Sequence, residues 1–396
     1  MKVVLSVPGK FHTFDLAREL HARRALAAVF TGYPQFKLKH EGLPRDLIRT
    51  WPWLQSSYMA MPAKHRLGPK LIREWEWAIR LSLDAFVKRQ LPPCDVFVGL
   101  SGSALQSGVQ AQSMGARYVC DRGSAHIRTQ DALLREEARR WGLPFDGIDP
   151  RVIEREEAEY EQADCITVPS SFSVQSFIDR GMAASKIKLL PYGVNLGTFA
   201  RSGEPAKGRL DVLYVGGMNL NKGIPYLLQG YQRLRHPAKS LTFAGTPSDA
   251  LIERMRAQGL WSEDIRVLGH VPQAQLKDLM SRSHAMVLAS VQEGFGMVLS
   301  QAMACACVVI ASAHTGGPDL LTDGEEGFIV PVRDGKAIGD RLQQLADQPE
   351  LQKNMGDKAI QRVKQAGGWR EYGDRACDIY RTLREPHGAR AVSGGH

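Results

Sequence analysis

The chain has 396 residues, 43% hydrophobic and 23% charged, with a formal net charge of +9 at pH 7. This composition excludes a disordered or fibrous protein, and the length accommodates two domains of ordinary size. Six cysteines without a C-x-x-C pair argue against a disulfide scaffold, and the longest apolar run, Ala302 to Ala311, falls well short of the ~20 residues that a membrane-crossing helix needs.

Taken in chain order, strand-like and helix-like segments alternate almost throughout, the signature of parallel sheets covered by helices. The first strand, Val3–Val7, runs into the glycine turn Pro8-Gly9-Lys10 and reads as structure rather than as a secretory leader. With reduced thiols, this sets the expectation of a cytoplasmic protein. Phe14–Arg24 follows as an amphipathic helix, and Ala27–Thr31 as a strand. Residues 34–90 then carry 11 Lys/Arg against 5 Asp/Glu, together with Trp51, Trp53, Trp75 and Trp77. That mixture fits peripheral contact with an anionic membrane, or a solvated helical hairpin whose tryptophans face the core. Without a helix-turn-helix, zinc-finger or RNP signature, nucleic acid is not expected as a partner.

Asp95–Leu100, Arg117–Asp121, Cys165–Pro169 and Ile187–Leu190 complete the strands of the first half. Val152–Gln162 reads as a helix, as does Val174–Arg180 with Ser170-Ser171 as its N-cap. The Gly-, Pro- and charge-rich stretch from Pro191 to Gly208 reads as a linker. A second βα series follows: Asp211–Val215, Leu241–Gly245, Ile265–Gly269, Ala285–Ala289, Val308–Ala311 and Gly327–Val330. Cys305 and Cys307, one residue apart without nearby ligands, read as core packing. The expected division is a first domain over 1–195 and a second over 196–372. Residues 373–396 are expected to return to the first domain as a helix, ending in a frayed tail.

The most informative stretch follows the apolar run Ala285–Ala289. Glu293, Gly294, Phe295 and Gly296 would stand between a strand end and a helix start. Open α/β sheets bind ligands at that edge, and helix N-termini attract phosphate. A carboxylate beside a phosphate cradle suits a molecule with hydroxyls at one end and phosphates at the other, which describes a nucleotide sugar. Earlier in the same half, Gly216-Gly217 ends the first strand and Lys222 follows beside a helix start, where its ammonium would meet a diphosphate.

These residues resemble the retaining GT-B glycosyltransferases of family 4. The quoted motifs are Val215-Gly216-Gly217 with Lys222, Glu293 through Gln301, Gly316-Gly317-Pro318-Asp319, and Asp323 through Pro331. The match is strong over the second half and loose over the first. The resemblance implies two Rossmann-like doubly wound domains facing across a cleft. It also implies transfer, with retention, from a UDP-sugar (or a GDP-sugar) to a saccharide or lipid-linked acceptor, the leaving phosphate assisting acceptor deprotonation. Glu293, Lys222 and His126 would be the catalytic residues. Gly9, Gly216, Gly217, Lys222, Gly294, Phe295, Gly296 and Gln301 would bind the donor. No cofactor is expected, and the absence of an Asp-x-Asp triplet argues against a metal held in that way.

Two positions depart from the family pattern. Its second motif glutamate is Gln301 here, and its phosphate-binding arginine falls at Gly217, leaving Lys10 or Arg122 as substitutes. These departures keep two alternatives open: a catalytically impaired GT-B binding or scaffold protein, and a nucleotide-sugar epimerase.

Overall fold

The computed structural model describes residues 1–61 and 68–385, and among them thirteen strands form two all-parallel sheets. The first contains β1 (Val3–Val7), β2 (Leu26–Thr31), β3 (Ile48–Thr50), β4 (Val96–Leu100), β5 (Arg117–Asp121), β6 (Cys165–Val168) and β7 (Ile187–Leu189). The second contains β8 (Leu210–Val215), β9 (Lys239–Ala244), β10 (Ile265–Gly269), β11 (Ala285–Leu288), β12 (Val308–Ser312) and β13 (Gly327–Val330). Their spatial orders are β3-β2-β1-β4-β5-β6-β7 and β10-β9-β8-β11-β12-β13. β3 was not anticipated. It is a three-residue edge strand paired with β2 from Val29↔Ile48 to Thr31↔Thr50, too short to show a periodicity.

Each domain thus places its first strand in the middle of its sheet, so the crossovers reverse direction between β1 and β4 and between β8 and β11. Helices cover both faces, which is why β1, β11 and β12 are buried along their whole length. Reversal points in doubly wound sheets open crevices beyond the carboxyl ends of the strands, and these are the ligand positions of such folds.

Two helices tie the domains together. Helix Trp369–Arg384 packs on helix Thr13–Ala22 and delivers Tyr372, Ala376, Cys377 and Tyr380 to the first core. Helix Ile127–Trp141 belongs to the first domain, yet Trp141 is buried in the second core. One turn earlier the fully buried Glu137 accepts from Tyr226 Oη at 2.9 Å and pairs with Arg333, which also reaches Glu136 at 3.0 Å. A buried carboxylate is tolerable only with such partners.

The tryptophans of 34–90 divide. Trp51 stacks on Phe86 at 4.7 Å, Trp75 Nε1 donates to the Leu54 carbonyl at 3.2 Å, and Arg151 lies over the Trp77 ring. Trp53 is 70% exposed, on a helix (Trp53–Ala60) that buries none of its residues. Lys64 and Arg66, part of the basic segment, lie outside the described residues. No helix among the described residues is long and apolar enough to cross a membrane.

Candidate active site

Lys222 and Glu293 meet at the reversal point of the second sheet, one after β8 and the other after β11. Their side chains form an ion pair, and Ser290 Oγ donates to the same carboxylate oxygen at 3.4 Å. The backbone fixes this meeting. Asn221 O accepts from Val291 N at 2.8 Å and from Gln292 N at 3.3 Å, while Glu293 N donates to His314 O at 3.0 Å. Gly223, in the left-handed region at φ +67°, passes so close to the end of β11 that a Cβ would stand 1.8 Å from Ala289 O. Only glycine allows that contact.

Beyond Glu293 the chain presents bare donors. The N–H groups of Gly294, Phe295, Gly296, Met297 and Val298 make no hydrogen bond among the described residues. Gly296, at φ +81°, opens helix Met297–Ala304 without a side-chain cap, and Gly223 likewise opens helix Ile224–Arg233. Nearly all buried backbone N–H groups in folded proteins are paired, so a run of unpaired ones at a helix start is a seat for an anion. Phe295 is buried, its ring edge-on to Tyr192 and its carbonyl accepting from Gly316 N at 2.7 Å. It anchors the loop from below.

The first domain closes over this loop. A Cβ at Gly294 would lie 1.9 Å from Gly123 O, and Gln292 Nε2 donates to Ser124 Oγ. Asp319 accepts from Ser171 N at 2.9 Å and from its hydroxyl at 3.1 Å. His314 stacks on Phe172 at 4.2 Å, its Nδ1 within hydrogen-bonding distance of Val291 O, and burial pushes its imidazole below the usual range.

Residues 198–362 match the family model described as Glycosyl transferases group 1. The second domain belongs to that family. The glycogen synthase of Mycobacterium tuberculosis is 28% identical over 180 residues, which is 44% of this chain and 43% of that protein. The chain therefore spans less than half the length of the curated relatives it matches. Over nearly its whole length the fold is shared with sucrose-phosphate synthase from Thermosynechococcus elongatus. That comparison gives a TM-score of 0.72 at 21% identity, over 97% of this chain and 99% of the other. Anabaena HepE, solved with UDP and glucose, gives a TM-score of 0.70 at 14% identity, over 96% and 100%. The fold is GT-B.

Within the group 1 domain, Gly216 adopts φ +139° and its carbonyl packs against Gly245, while Gly217 O accepts from Tyr214 Oη at 2.8 Å. A Cβ at Gly217 would meet nothing closer than Asn219 Nδ2 at 3.9 Å, so the position has room for a side chain. Gln301 is half-buried one turn beyond Met297, and its amide makes no hydrogen bond among the described residues. The two proposed cationic substitutes are engaged elsewhere. Arg122 is buried against Glu156 at 2.9 Å and donates to Ala125 O, whereas Lys10 pairs with Glu41. Gly9, after β1, accepts from Thr31 Oγ1 at 2.7 Å within the first domain.

His126 makes no hydrogen bond, ion pair or ring contact with Lys222 or Glu293 among the described residues. It caps helix Ile127–Trp141, its Nδ1 accepting from Arg128 N at 3.2 Å, with its ring against Tyr160 and Phe177. Burial pushes its pKa down to about 4, so it is neutral at pH 7. The first-domain histidine set against Gly123 is instead His12, hydrogen-bonded to Asp121. Sequence reading missed this pair. The available signal was positional, since His12 follows the glycine turn of β1 and Asp121 closes β5.

One further groove, of about 460 Å³, lies at the amino edge of the first sheet. Its charges are satisfied internally, Arg117 by Asp164 at 3.0 Å and Arg384 by Asp95 at 3.1 Å.

Proposed function

We propose that the chain is a glycosyltransferase that moves a hexose from a nucleotide sugar, a UDP-sugar before a GDP-sugar, to a saccharide or lipid-linked acceptor with retention and without a metal. The observation that carries this reading is the run of unpaired N–H groups from Gly294 to Val298 beside the Lys222–Glu293 pair. As the nucleoside diphosphate departs, negative charge grows on the β-phosphate and positive charge on the sugar. Lys222 and the N–H run meet the first, and helix Met297–Ala304 adds its positive end. Glu293 holds sugar hydroxyls and favours the oxocarbenium-like centre. In the free protein the two charges satisfy each other, so the donor inserts into a preformed ion pair. The UDP in the HepE structure supports the choice of base. Exposed Phe36, Trp53 and Leu71 beside Lys37, Lys39 and Lys70 support a membrane-bound acceptor.

Thermal unfolding against UDP- and GDP-sugars is the direct test, because a ligand of the folded state raises its unfolding temperature. Stabilisation by a nucleotide sugar is expected, and Glu293→Ala should lower turnover by about 10²–10³-fold. Full turnover in that variant, or no stabilisation by any nucleotide, would overturn the reading. Gly217 and Gln301 favour a second reading, a nucleotide-sugar-binding protein without turnover. Calorimetry showing tight binding and no product with any acceptor would select it.

A further inference from the structure

One segment of the first domain touches both halves of the Lys222–Glu293 site. At its leading end, Gly123 O packs on Gly294 and Ser124 Oγ accepts from Gln292 Nε2, the two residues that flank Glu293 in the chain. Helix Ile127–Trp141 follows and packs on the turn Leu220–Lys222. The second domain then grips its last turn. Tyr226 Oη donates to Glu137 at 2.9 Å and accepts from Trp141 Nε1 at 3.3 Å, while Arg254 Nε donates to the Trp141 carbonyl at 2.9 Å.

The place of Tyr226 gives this grip its meaning. Helix Ile224–Arg233 opens directly after Lys222, on the left-handed Gly223 and without a side-chain cap. Gly223, Ile224 and Pro225 have no polar side chain, so Tyr226 is the first residue after Lys222 that a side-chain hydrogen bond can hold. Its own N–H closes the turn on Gly223 O at 3.0 Å. Glu137, wholly buried, also pairs with Arg333, which stands at φ +66° just before helix Gly335–Asp347. A buried ion pair adds little net stability, but a buried carboxylate stripped of its partners is costly, so other arrangements of these three side chains are penalised.

We propose that Glu137, through Tyr226, is a positioning residue that sets Lys222 for the diphosphate of the donor, an inference that rests on the glycosyltransferase reading. The donor site of the second domain is thereby completed from the first. Glu137 acts only through the backbone from Tyr226 back to Lys222. Misplacing a binding group by about 1 Å costs about 10²-fold in rate, which gives a contact remote from the chemistry its leverage.

The test is a double-mutant cycle read by calorimetry of UDP binding, with Tyr226→Phe and Glu137→Leu each made in the wild type and beside Lys222→Ala. Both should weaken UDP about 10-fold while Lys222 is present, and by less than about 2-fold once it is alanine. Their effect on the unfolding temperature should be the same in both backgrounds, which separates positioning from a structural role. Unchanged UDP affinity in either variant would overturn the proposal, as would an equal loss with and without Lys222. Should Glu137→Leu fail to fold, Tyr226→Phe keeps the ring and decides alone. If UDP does not bind the wild type, or binds Lys222→Ala as tightly, the donor reading itself fails, a result separate from loss of the positioning role.

Discussion

The two domains share a sheet order, but the helices after β4, β5 and β6 of the first and those after β8 and β11 of the second are finished in opposite ways. In the first, the helices after β4, β5 and β6 are closed by side chains. Asp84 accepts from Gln106 N at 2.8 Å and Ser107 N at 2.9 Å, with Glu159 on Ala104 N at 2.8 Å. His126 caps the next helix, and Ser170 the one after, whose Ser171 N is taken by Asp319. In the second domain, the helices after β8 and β11 open on left-handed glycines with no side-chain cap. A capped helix end has used its donors on the protein itself, whereas an uncapped one keeps them for a ligand. The contrast separates an edge braced by its own side chains from one whose free donors carry the proposed phosphate site.

Four substitutions would break or sharpen that contrast. The largest effect is expected for Asp84→Ala, which takes from the buried Arg155 its nearest carboxylate and leaves it Glu159 at 3.7 Å and the Gly102 carbonyl at 3.2 Å. It should cost roughly 3–5 kcal/mol in denaturant unfolding while UDP affinity is unchanged. Equal damage to UDP binding would show that the braced edge also takes part in binding. Lys222→Ala should do the reverse, weakening UDP by about 1.5–3 kcal/mol in calorimetry with little change in unfolding. Unaltered affinity would remove Lys222 from the phosphate site.

Gly217→Arg tests the vacant cationic position, where a side chain has room. Tighter UDP binding by about 1 kcal/mol is expected, and weaker binding would contradict the placement of the diphosphate beside this turn. The smallest effect concerns His126. Its pKa in the folded chain, about 4, lies below the ordinary 6.5. The unfolded chain takes up the proton first, so stability falls as pH drops through that window. His126→Asn keeps an acceptor at the cap and should flatten this slope between pH 7 and pH 4.5. An unchanged slope would assign the acid sensitivity to other groups.

Much of this arrangement is readable from the residues in order. Buried parallel strands are short apolar runs, so Val3–Val7, Arg117–Asp121 and Gly327–Val330 declare themselves with their observed limits, as does the edge strand Ile265–Gly269, most of which is exposed. Glu293 is legible because carboxylate, glycines and helix start lie within a few consecutive residues. β3 is not, being three residues of mixed polarity, Ile48–Thr50, inside the basic stretch that read as helical. Nor is the role of His126, since a histidine after a strand end looks the same whether it caps a helix or faces a cleft. Only the packing of Tyr160 and Phe177 around it decides.

Local sequence by itself determined the two βα series and placed Glu293 and Lys222 beyond strand ends of the second. Those features follow from periodicity and turn chemistry, which act over a few residues. The tertiary structure alone decided that Lys222 and Glu293 form a pair, that Gly123 and Gly294 bring the domains into contact, and that Arg122 is spent on Glu156. It also joined His12 to Asp121 across 109 positions of the chain. Contacts of that kind depend on strand order and crossover direction, which no local pattern encodes.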